Sequence, residues 1–252
     1  MDIINNYYDL TLLQWMMVIF CALLVGMSKT GLSGAGLFIV PVFAAIFGGR
    51  PSVGLVLPML VTADIFAVIY YHRHADWKYV LKLLPWAIGG IAAGLFTGKM
   101  VSDKQFKILV SIVVILGIGL MVWQDLRKKN TSVPDYWWFA ATLGLAGGFA
   151  TMVGNAAGPV MSLYLLSMKL PKNVYIGTGA WFFFIINLIK VPLHVFIWKT
   201  IQWNSAALDL LIAPGIIAGA FIGIKIVKII PEKPYRIFIV VSTLVSAFAL
   251  LG

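Results

Sequence analysis

The chain has 252 residues, of which 61% are apolar and only 11% are charged, whereas an ordinary soluble domain carries about 25% charged residues. A soluble fold could not cover this much apolar surface, so the composition indicates an integral membrane protein. The net charge of +10 does not indicate nucleic-acid binding, because Lys and Arg lie mostly between apolar segments, where they orient a membrane protein.

Metal and disulfide chemistry is not expected from the cysteines and histidines. Cys21 is the only cysteine, which excludes an intrachain disulfide and a cysteine metal cluster. His72, His74 and His194 do not have the spacing of zinc ligands. We therefore expect neither a metal site nor a cofactor. Acidic rather than basic residues precede the first apolar segment, so we expect that segment to remain in the mature protein rather than to act as a signal peptide.

Ten apolar segments follow one another along the chain. In order they are Leu10–Met27, Leu37–Phe47, Val53–Tyr71, Tyr79–Gly98, Phe106–Trp123, Tyr136–Met152, Pro159–Met168, Val174–Trp198, Ser205–Ile226 and Tyr235–Leu251. A helix needs about 20 apolar residues to cross a bilayer. Most of the segments are long enough, but the second and the seventh are too short to cross alone. The pattern predicts an all-α membrane protein.

Each short segment is separated from the long segment before it by a stretch of small residues. The first of these breaks covers residues 28–36 and the second covers residues 151–158. Backbone that is not hydrogen-bonded within a helix cannot face lipid, so each break must be buried in protein or line a cavity. We therefore expect two broken helices, each either re-entrant or fully spanning.

The two halves of the chain look duplicated. Gly36 aligns with Gly158, and Ser33 aligns with Asn155. Glycines at 90, 94 and 98 recur with the same spacing at 215, 219 and 223. We expect a first repeat over residues 1–124, a basic cytoplasmic linker over 125–135 and a second repeat over 136–252. Each repeat would hold one broken helix pair and three further transmembrane helices, and this odd number would invert the second repeat.

The loop charges give an orientation. With the N-terminus outside, twelve Lys and Arg fall on the cytoplasmic side and five on the outer side, which agrees with the positive-inside rule. We expect a multi-pass protein of the cell (inner) membrane with both termini outside.

The two breaks are the strongest functional signal. Each is followed by a short helix whose free N–H groups and positive dipole end lie in or near the membrane, and this arrangement favours an anion. The glycines would let a substrate approach the backbone, and the polar side chains would donate hydrogen bonds. The predicted substrate-binding residues are Ser28, Lys29, Thr30, Gly31, Ser33, Gly34, Gly36, Thr151, Gly154, Asn155 and Gly158. The alternative is that these small residues only allow close packing.

The sequences of the two breaks also resemble a known family. MSKTGLSGAGLFIVP, its counterpart GGFATMVGNAAGPVMSLYL and the duplicated plan are similar to the TauE/SafE family of sulfite-exporter-type permeases, over nearly the whole chain. The resemblance implies transport of small sulfur-containing anions, of the sulfite or organosulfonate class. The break pattern itself indicates only an anion.

Ionisable residues within the apolar segments are expensive and are therefore candidates for function. Lys29 could pair with a bound anion or could lie at the membrane surface. Asn187, Lys190 and His194 share one helix face, which suits a pore lining or a proton relay. The alternative is burial against other helices with satisfied hydrogen bonds. Asp64 could couple transport to a cation or could neutralise a lysine. Asp209, nearer the end of its segment, is expected at the interface.

These residues predict a non-enzymatic, alternating-access transporter in the lipid bilayer. A proton or sodium is the candidate coupling ion, and a homodimer is compatible with the sequence. Two alternatives remain open. The stretch from Gly31 to Gly34 matches the pattern of intramembrane serine proteases, with Ser33 as nucleophile and His194 as base. A passive anion channel is the other alternative.

Overall fold

A computed structural model describes residues 10–32, 39–97 and 136–249 of the chain. Within these ranges every regular element is a helix, and no strand occurs. The helices are α1 (Leu12–Lys29), α2 (Ile39–Phe47), α3 (Gly49–Tyr71), α4 (Trp77–Thr97), α5 (Trp137–Gly154), α6 (Gly158–Ser167), α7 (Lys172–Pro192), α8 (Trp203–Ile229) and α9 (Glu232–Ala249). A short 3₁₀ turn (His72–His74) follows α3, and a π-helical turn (Leu193–Ile197) follows α7.

Six helical segments are long and apolar enough to cross a membrane. They are Leu12–Lys29, Pro51–His74, Trp77–Thr97, Trp137–Gly154, Lys172–Ile197 and Ser205–Ile229. In contrast, α2 has nine residues and α6 has ten, as expected for the short partners of two broken helices. The all-α membrane fold predicted from the sequence is confirmed. The predicted segment Phe106–Trp123 and the linker 125–135 lie outside the described residues.

Local sequence explains where α1 begins and ends. Thr11 and Gln14 form a reciprocal capping box at its start, which satisfies N–H groups that a helix start leaves unpaired. At its other end Gly31 has a φ of +127°, a conformation that side chains with a Cβ rarely adopt. The first break therefore begins directly after Lys29. Residues 33–38, which lead into α2, lie outside the described residues.

The second break is short and well defined. Asn155 takes the left-handed conformation with a φ of 54°, and the Ala156 N–H donates to the Ala150 carbonyl over 3.2 Å. This is the hydrogen bond of a Schellman-type helix end. Three residues later α6 begins at Gly158, with Pro159 in its first turn, where the missing N–H of proline costs nothing. The second break is therefore a real interruption between a long and a short helix.

The chain forms two compact units, and each unit takes helices from both halves of the sequence. The first unit comprises residues 1–70 and 183–229, and the second comprises 71–182 and 230–252. The first unit thus holds α1, α2, α3, the end of α7 and α8. The second holds α4, α5, α6, the start of α7 and α9. The two predicted sequence repeats, residues 1–124 and 136–252, do not coincide with these two units. The repeat boundaries stay a prediction.

In the first unit, α1 packs on α8 through glycines. A Cβ on Gly26 would collide with the Ile216 carbonyl, and a Cβ on Gly219 would collide with the Leu23 carbonyl. The two backbones are therefore in direct contact, which is how helices pack closely within a membrane. Around this contact lies an apolar core that includes Val18, Phe43 and Met59, all of them fully buried.

In the second unit, α5 packs on α4 in the same way. A Cβ on Gly148 would collide with the Ala87 carbonyl, and a Cβ on Gly90 would collide with the Leu145 carbonyl. Each of these four residues has a counterpart in the α1–α8 contact. The two residues of α5 are separated from their counterparts in α1 by the same number of positions, and the same holds for the two residues of α4 and their counterparts in α8. The repetition of the whole contact set supports the duplication, whose inverted sense stays a prediction.

The contacts also favour a different alignment of the two glycine series. The spacing pairs Gly90 with Gly215, whereas the contacts pair Gly90 with Gly219, one helical turn later. Glycines that recur every fourth residue match equally well at either register, so spacing alone could not distinguish them. Gly98, the third glycine of the first series, lies outside the described residues.

A matched pair of glycine variants tests the α4–α5 contact. We expect Gly148→Ala to destabilise the protein by about 1–3 kcal/mol, because the new methyl group must push two helix backbones apart. Gly147→Ala is the control, since its Cβ would meet only Val160 Cγ1 at 3.6 Å, and we expect it to be neutral or slightly stabilising. The measurement is the thermal unfolding midpoint in detergent. Equal midpoints for the two variants would contradict this contact.

Candidate functional site

A chain of four polar side chains crosses the interior of the first unit. Lys29 Nζ lies 2.9 Å from Asp64 Oδ1, Asn187 Nδ2 donates to Asp64 Oδ2 over 2.6 Å, and Lys190 Nζ donates to Asn187 Oδ1 over 3.2 Å. We call these four residues the charged cluster. They come from α1, α3 and α7, so three separate stretches of sequence contribute to it.

Asp64 places the charged cluster deep within the apolar part of the protein. It lies near the middle of the span Pro51–His74 and is fully buried. Because Lys29 is in direct contact with Asp64, its ammonium group points towards the middle of α3, although its Cα is at the end of α1. Whether Lys29 binds an anion or lies at the membrane surface stays a prediction.

Several features of the fold stabilise the Lys29 ammonium. It pairs with the Asp64 carboxylate and lies 4.1 Å from the centre of the Phe183 ring, a cation–π distance. Lys29 is also in the last turn of α1, where the negative end of the helix dipole favours a cation. A charge within hydrocarbon requires such partners. Phe183 was not predicted from sequence, although it precedes Asn187 by one helical turn and so shares its face of α7.

Exposure differs sharply within the charged cluster. The Lys29 side chain is 11% exposed, whereas that of Asp64 is fully buried. Asn187 and Lys190 are 1% and 0% exposed as whole residues. Lys29 is therefore the member that a molecule from outside the first unit would meet first. The other three side chains form a buried polar support behind it.

The remaining polar residues at the first break bond to their own helix. Ser28 Oγ donates to the Val25 carbonyl over 2.9 Å, and Thr30 Oγ1 donates to the Gly26 carbonyl over 3.0 Å. Thr30 is fully buried and packs against Gly223 of α8. The structure thus gives both hydroxyls intrahelical partners, a use that the sequence pattern did not anticipate. Ser33, Gly34 and Gly36 lie outside the described residues.

At the second break, in the second unit, Gly158 marks the start of α6. A Cβ added to Gly158 would have no neighbour within 4 Å among the described residues. Thr151 is 2% exposed, whereas Gly154 and Asn155 are partly exposed. The role of this break as an anion site stays a prediction.

His194 lies in the π-helical turn that ends α7. Its Nδ1 is 2.8 Å from Thr200 Oγ1, and its ring meets the edge of Trp198 at a centroid distance of 5.1 Å. Pro192 has no N–H to continue the helix, so the wider turn follows it. The sequence placed His194 on one face with Lys190. The structure gives one ring nitrogen of His194 a hydrogen bond to Thr200, and the predicted joint role with Lys190 stays a prediction.

Asp209 was predicted at the membrane interface, and it lies near the start of the candidate span Ser205–Ile229. It is packed within the first unit, where it is only 7% exposed, and its depth in the membrane stays a prediction. Neither carboxylate oxygen has a hydrogen-bond partner among the described residues. Counting residues from the end of a segment could not reveal this, because packing within the first unit decides which face of α8 is buried.

Metal ligands were not expected, and the part of the chain that the structure describes contains no group of three or more His, Cys, Asp or Glu that could hold a metal ion. The charged cluster instead combines two ammonium groups, one carboxylate and one amide. Ammonium groups bind anions, and the amide can both donate and accept. The arrangement therefore suits reversible binding of a small anion better than coordination of a metal.

Comparison with known proteins places this chain among membrane transporters. The family model described as "Sulfite exporter TauE/SafE" matches residues 18–250. The chain is also 21% identical over 199 residues to the "Probable membrane transporter protein MamO" of Paramagnetospirillum magneticum (strain ATCC 700264 / AMB-1), an alignment that covers 63% of this chain and 31% of that protein. No solved structure matches the chain. Because the family model covers nearly all of the sequence, the chain belongs to the sulfite exporter TauE/SafE family of membrane transporters.

Proposed function

We propose that this protein is a secondary transporter of small sulfur-containing anions, of the sulfite or organosulfonate class, and that Lys29 is the cation that binds them. The proposal is carried by the charged cluster, where two lysines are joined to a single carboxylate that lies near the middle of the candidate span Pro51–His74. The substrate class comes from the family to which the chain belongs.

The ion pair supports a mechanism in which the incoming anion and the Asp64 carboxylate compete for the Lys29 ammonium group. In the structure the Asp64 carboxylate occupies one side of the Lys29 ammonium at 2.9 Å. An incoming anion would replace or share this contact, so that Lys29 is always neutralised and a bare charge never faces hydrocarbon. Asn187, which donates to Asp64, holds the carboxylate while the anion is bound. The partial exposure of Lys29 supports its role as the first contact.

The break after Lys29 would supply further contacts to the anion in the first unit. An oxyanion is well bound by backbone N–H groups at a helix start. We propose that the start of the short helix after this break contributes N–H groups, and the sequence pattern of residues 28–36 supports this. The break over residues 151–158, in the second unit, is a proposed anion site on its sequence pattern.

Alternating access is proposed from the duplication. Asp64 and Asn187 occupy roughly corresponding positions in the two predicted repeats, and they hydrogen-bond to each other. Direct contact between equivalent residues is what a local two-fold axis produces. In transporters with inverted repeats, substrates bind near such an axis at the middle of the bilayer, and rocking of one repeat exposes each side in turn. We place the protein in the cell (inner) membrane with both termini outside, as the loop charges suggest.

The two alternatives from the sequence have less support. Membership of a transporter family argues against an intramembrane protease, and the histidine that would serve as base is bonded to Thr200. A passive channel remains the other possibility, and no contact in the described residues favours it. Transport against a concentration gradient separates a carrier from a channel.

The first test is transport by purified full-length protein in proteoliposomes. We expect uptake of labelled sulfite, methanesulfonate or a related sulfonate that saturates with concentration and can be driven uphill by an ion gradient. Empty liposomes and liposomes containing denatured protein are the controls. Absence of flux for every anion of this class, with folding verified, would overturn the proposed function. Flux that only equilibrates under every gradient would indicate a channel.

The second test separates the proposed role of Lys29 in anion binding from its role in the stability of the fold. Lys29→Ala alone would leave Asp64 buried without its partner and should cost about 3–5 kcal/mol of stability. We therefore compare Asp64→Asn with the double variant Lys29→Gln/Asp64→Asn, which removes both charges together. We expect the single variant to bind anion at least as tightly as the wild type, because Lys29 has lost its internal competitor. The double variant should remain folded but lose at least about 10-fold in affinity.

Anion affinity in this comparison is measured by ligand-dependent thermal stabilisation, which also reports folding. Lys225→Gln is the matched control, since Lys225 is exposed on α8, and it should bind like the wild type. Unchanged affinity in the folded double variant would remove Lys29 from the site.

A further inference from the structure

We propose that one end of the second unit binds the headgroups of anionic phospholipids, and that this lipid contact stabilises the protein. The end consists of residues 72–82, 168–172 and 230–236, which we call the basic end. None of its residues belongs to the charged cluster. The inference therefore does not depend on which anion the protein transports.

Contacts within the second unit gather three separate connections at the basic end. The backbone N–H of Asp76, in the turn after α3, donates to Thr178 Oγ1 over 2.9 Å. Lys172 Nζ donates to the Ile230 carbonyl, in the turn before α9, over 2.7 Å. Both of these turns therefore lie against the first part of α7, which the stretch 168–171 directly precedes. Charges that are far apart in the sequence are thus brought to one end of the unit.

Basic residues outnumber acidic residues at the basic end. Its three stretches contain seven Lys or Arg, which are Arg73, Lys78, Lys82, Lys169, Lys172, Lys233 and Arg236. The loop charges predict that all seven lie on the cytoplasmic side. That leaflet carries the anionic lipids that attract basic segments next to membrane helices.

The two acidic residues of the basic end are used at helix starts. Asp76 Oδ1 accepts from the Lys78 N–H over 3.1 Å, and Glu232 Oε1 accepts from the Lys172 N–H over 3.0 Å. Lys78 and Lys172 lie in the first turns of α4 and α7, where unpaired N–H groups favour a negative side chain. These carboxylates therefore serve the fold of the turns.

Each of the three stretches also offers an exposed cation. These cations are Arg73 in the turn after α3, Lys169 before α7 and Lys233 in the first turn of α9. Guanidinium and ammonium groups bind phosphate oxygens through charge-assisted hydrogen bonds. The basic end therefore presents a positively charged surface that suits the phosphates of lipid headgroups.

The position of the basic end favours a phospholipid over a soluble phosphate. The candidate span Pro51–His74 ends there, and the candidate spans Trp77–Thr97 and Lys172–Ile197 begin there. Helices that cross a bilayer end near its headgroups. In the first turns of α4, Trp77 and Leu81 are 43% and 60% exposed and share one helix face. These apolar side chains suit the acyl chains that accompany a headgroup, and tryptophan is enriched at this level of the membrane.

The first test compares lipids on the wild-type, full-length protein in detergent. We expect phosphatidylglycerol to raise the thermal unfolding midpoint, and phosphatidylcholine with the same acyl chains but no net charge to raise it much less. The difference should shrink as salt is added, because ions screen exposed charges. Glycerol 1-phosphate carries the charge without the acyl chains, and it should have little effect at the same concentration.

Two triple variants test where the lipid binds. The variant Arg73→Gln/Lys169→Gln/Lys233→Gln should need at least about 10-fold more phosphatidylglycerol for half-maximal stabilisation, because each cation near a charged membrane surface adds to binding. The charge-conserving variant Arg73→Lys/Lys169→Arg/Lys233→Arg should bind like the wild type. Lys199→Gln removes an exposed cation that follows the opposite end of α7, and it should also bind like the wild type. Substitutions of exposed residues usually leave folding intact.

The outcomes decide the inference without any measurement of transport. Equal stabilisation by the two phospholipids would overturn it, and so would glycerol 1-phosphate that stabilises as well as phosphatidylglycerol. An unchanged half-maximal concentration in the folded glutamine variant, or an equal loss in Lys199→Gln, would also overturn it. If the glutamine variant does not fold, the comparison of lipids and salt in the wild type decides by itself. Absence of anion flux would overturn the proposed function and leave this inference standing.

Discussion

The cost of charge inside a bilayer is the constraint on which this structure depends. An isolated lysine or aspartate at the middle of a membrane span is unfavourable, yet the first unit joins a buried lysine, a buried aspartate and a partly exposed lysine. It does so through a continuous set of contacts that uses an ion pair, an aromatic ring and an amide. Removal of any one member leaves another unsatisfied. The charged cluster therefore persists only as a complete set, and this requirement is what holds α1, α3 and α7 in register at this depth.

Close packing of glycine-bearing helices makes this burial possible. The backbones of α1 and α8 touch at Gly26 and Gly219, and this brings α1 firmly onto the core of the first unit. Lys29 is one turn beyond Gly26, so the same contact that anchors the helix also determines where its last side chain points. In the second unit, Gly148 and Gly90 repeat the contact between α5 and α4. Apolar side chains gain little free energy when they leave lipid for protein, so helix association in a membrane depends on close packing of this kind.

The same four polar residues serve stability and the proposed transport. A carboxylate that neutralises a lysine is also a group with which an anion can compete, and the amide of Asn187 contacts both that carboxylate and the second lysine. Asp209 is a further buried acid in α8, and the contacts of the charged cluster do not include it.

The sequence by itself determined the membrane class, the helix plan and the candidate residues. Apolar length predicts spans because hydrocarbon thickness is constant, and small residues between a long and a short segment predict breaks because exposed backbone cannot face lipid. Lys29, Asp64, Asn187 and Lys190 stood out because charged and polar residues are rare within spans. Their type and rarity are visible without any fold.

Only the tertiary structure decided which of these residues meet. In the structure Lys29 contacts Asp64, and Asn187 hydrogen-bonds to both Asp64 and Lys190. His194 hydrogen-bonds to Thr200, Thr30 packs against Gly223, and Asp209 is buried. It also favoured a glycine register one turn from the one that spacing suggests. These outcomes depend on how helices distant in sequence rotate and slide against one another. Helical periodicity is nearly unchanged by a shift of one turn, so the choice belongs to packing between helices and not to the pattern within any one of them.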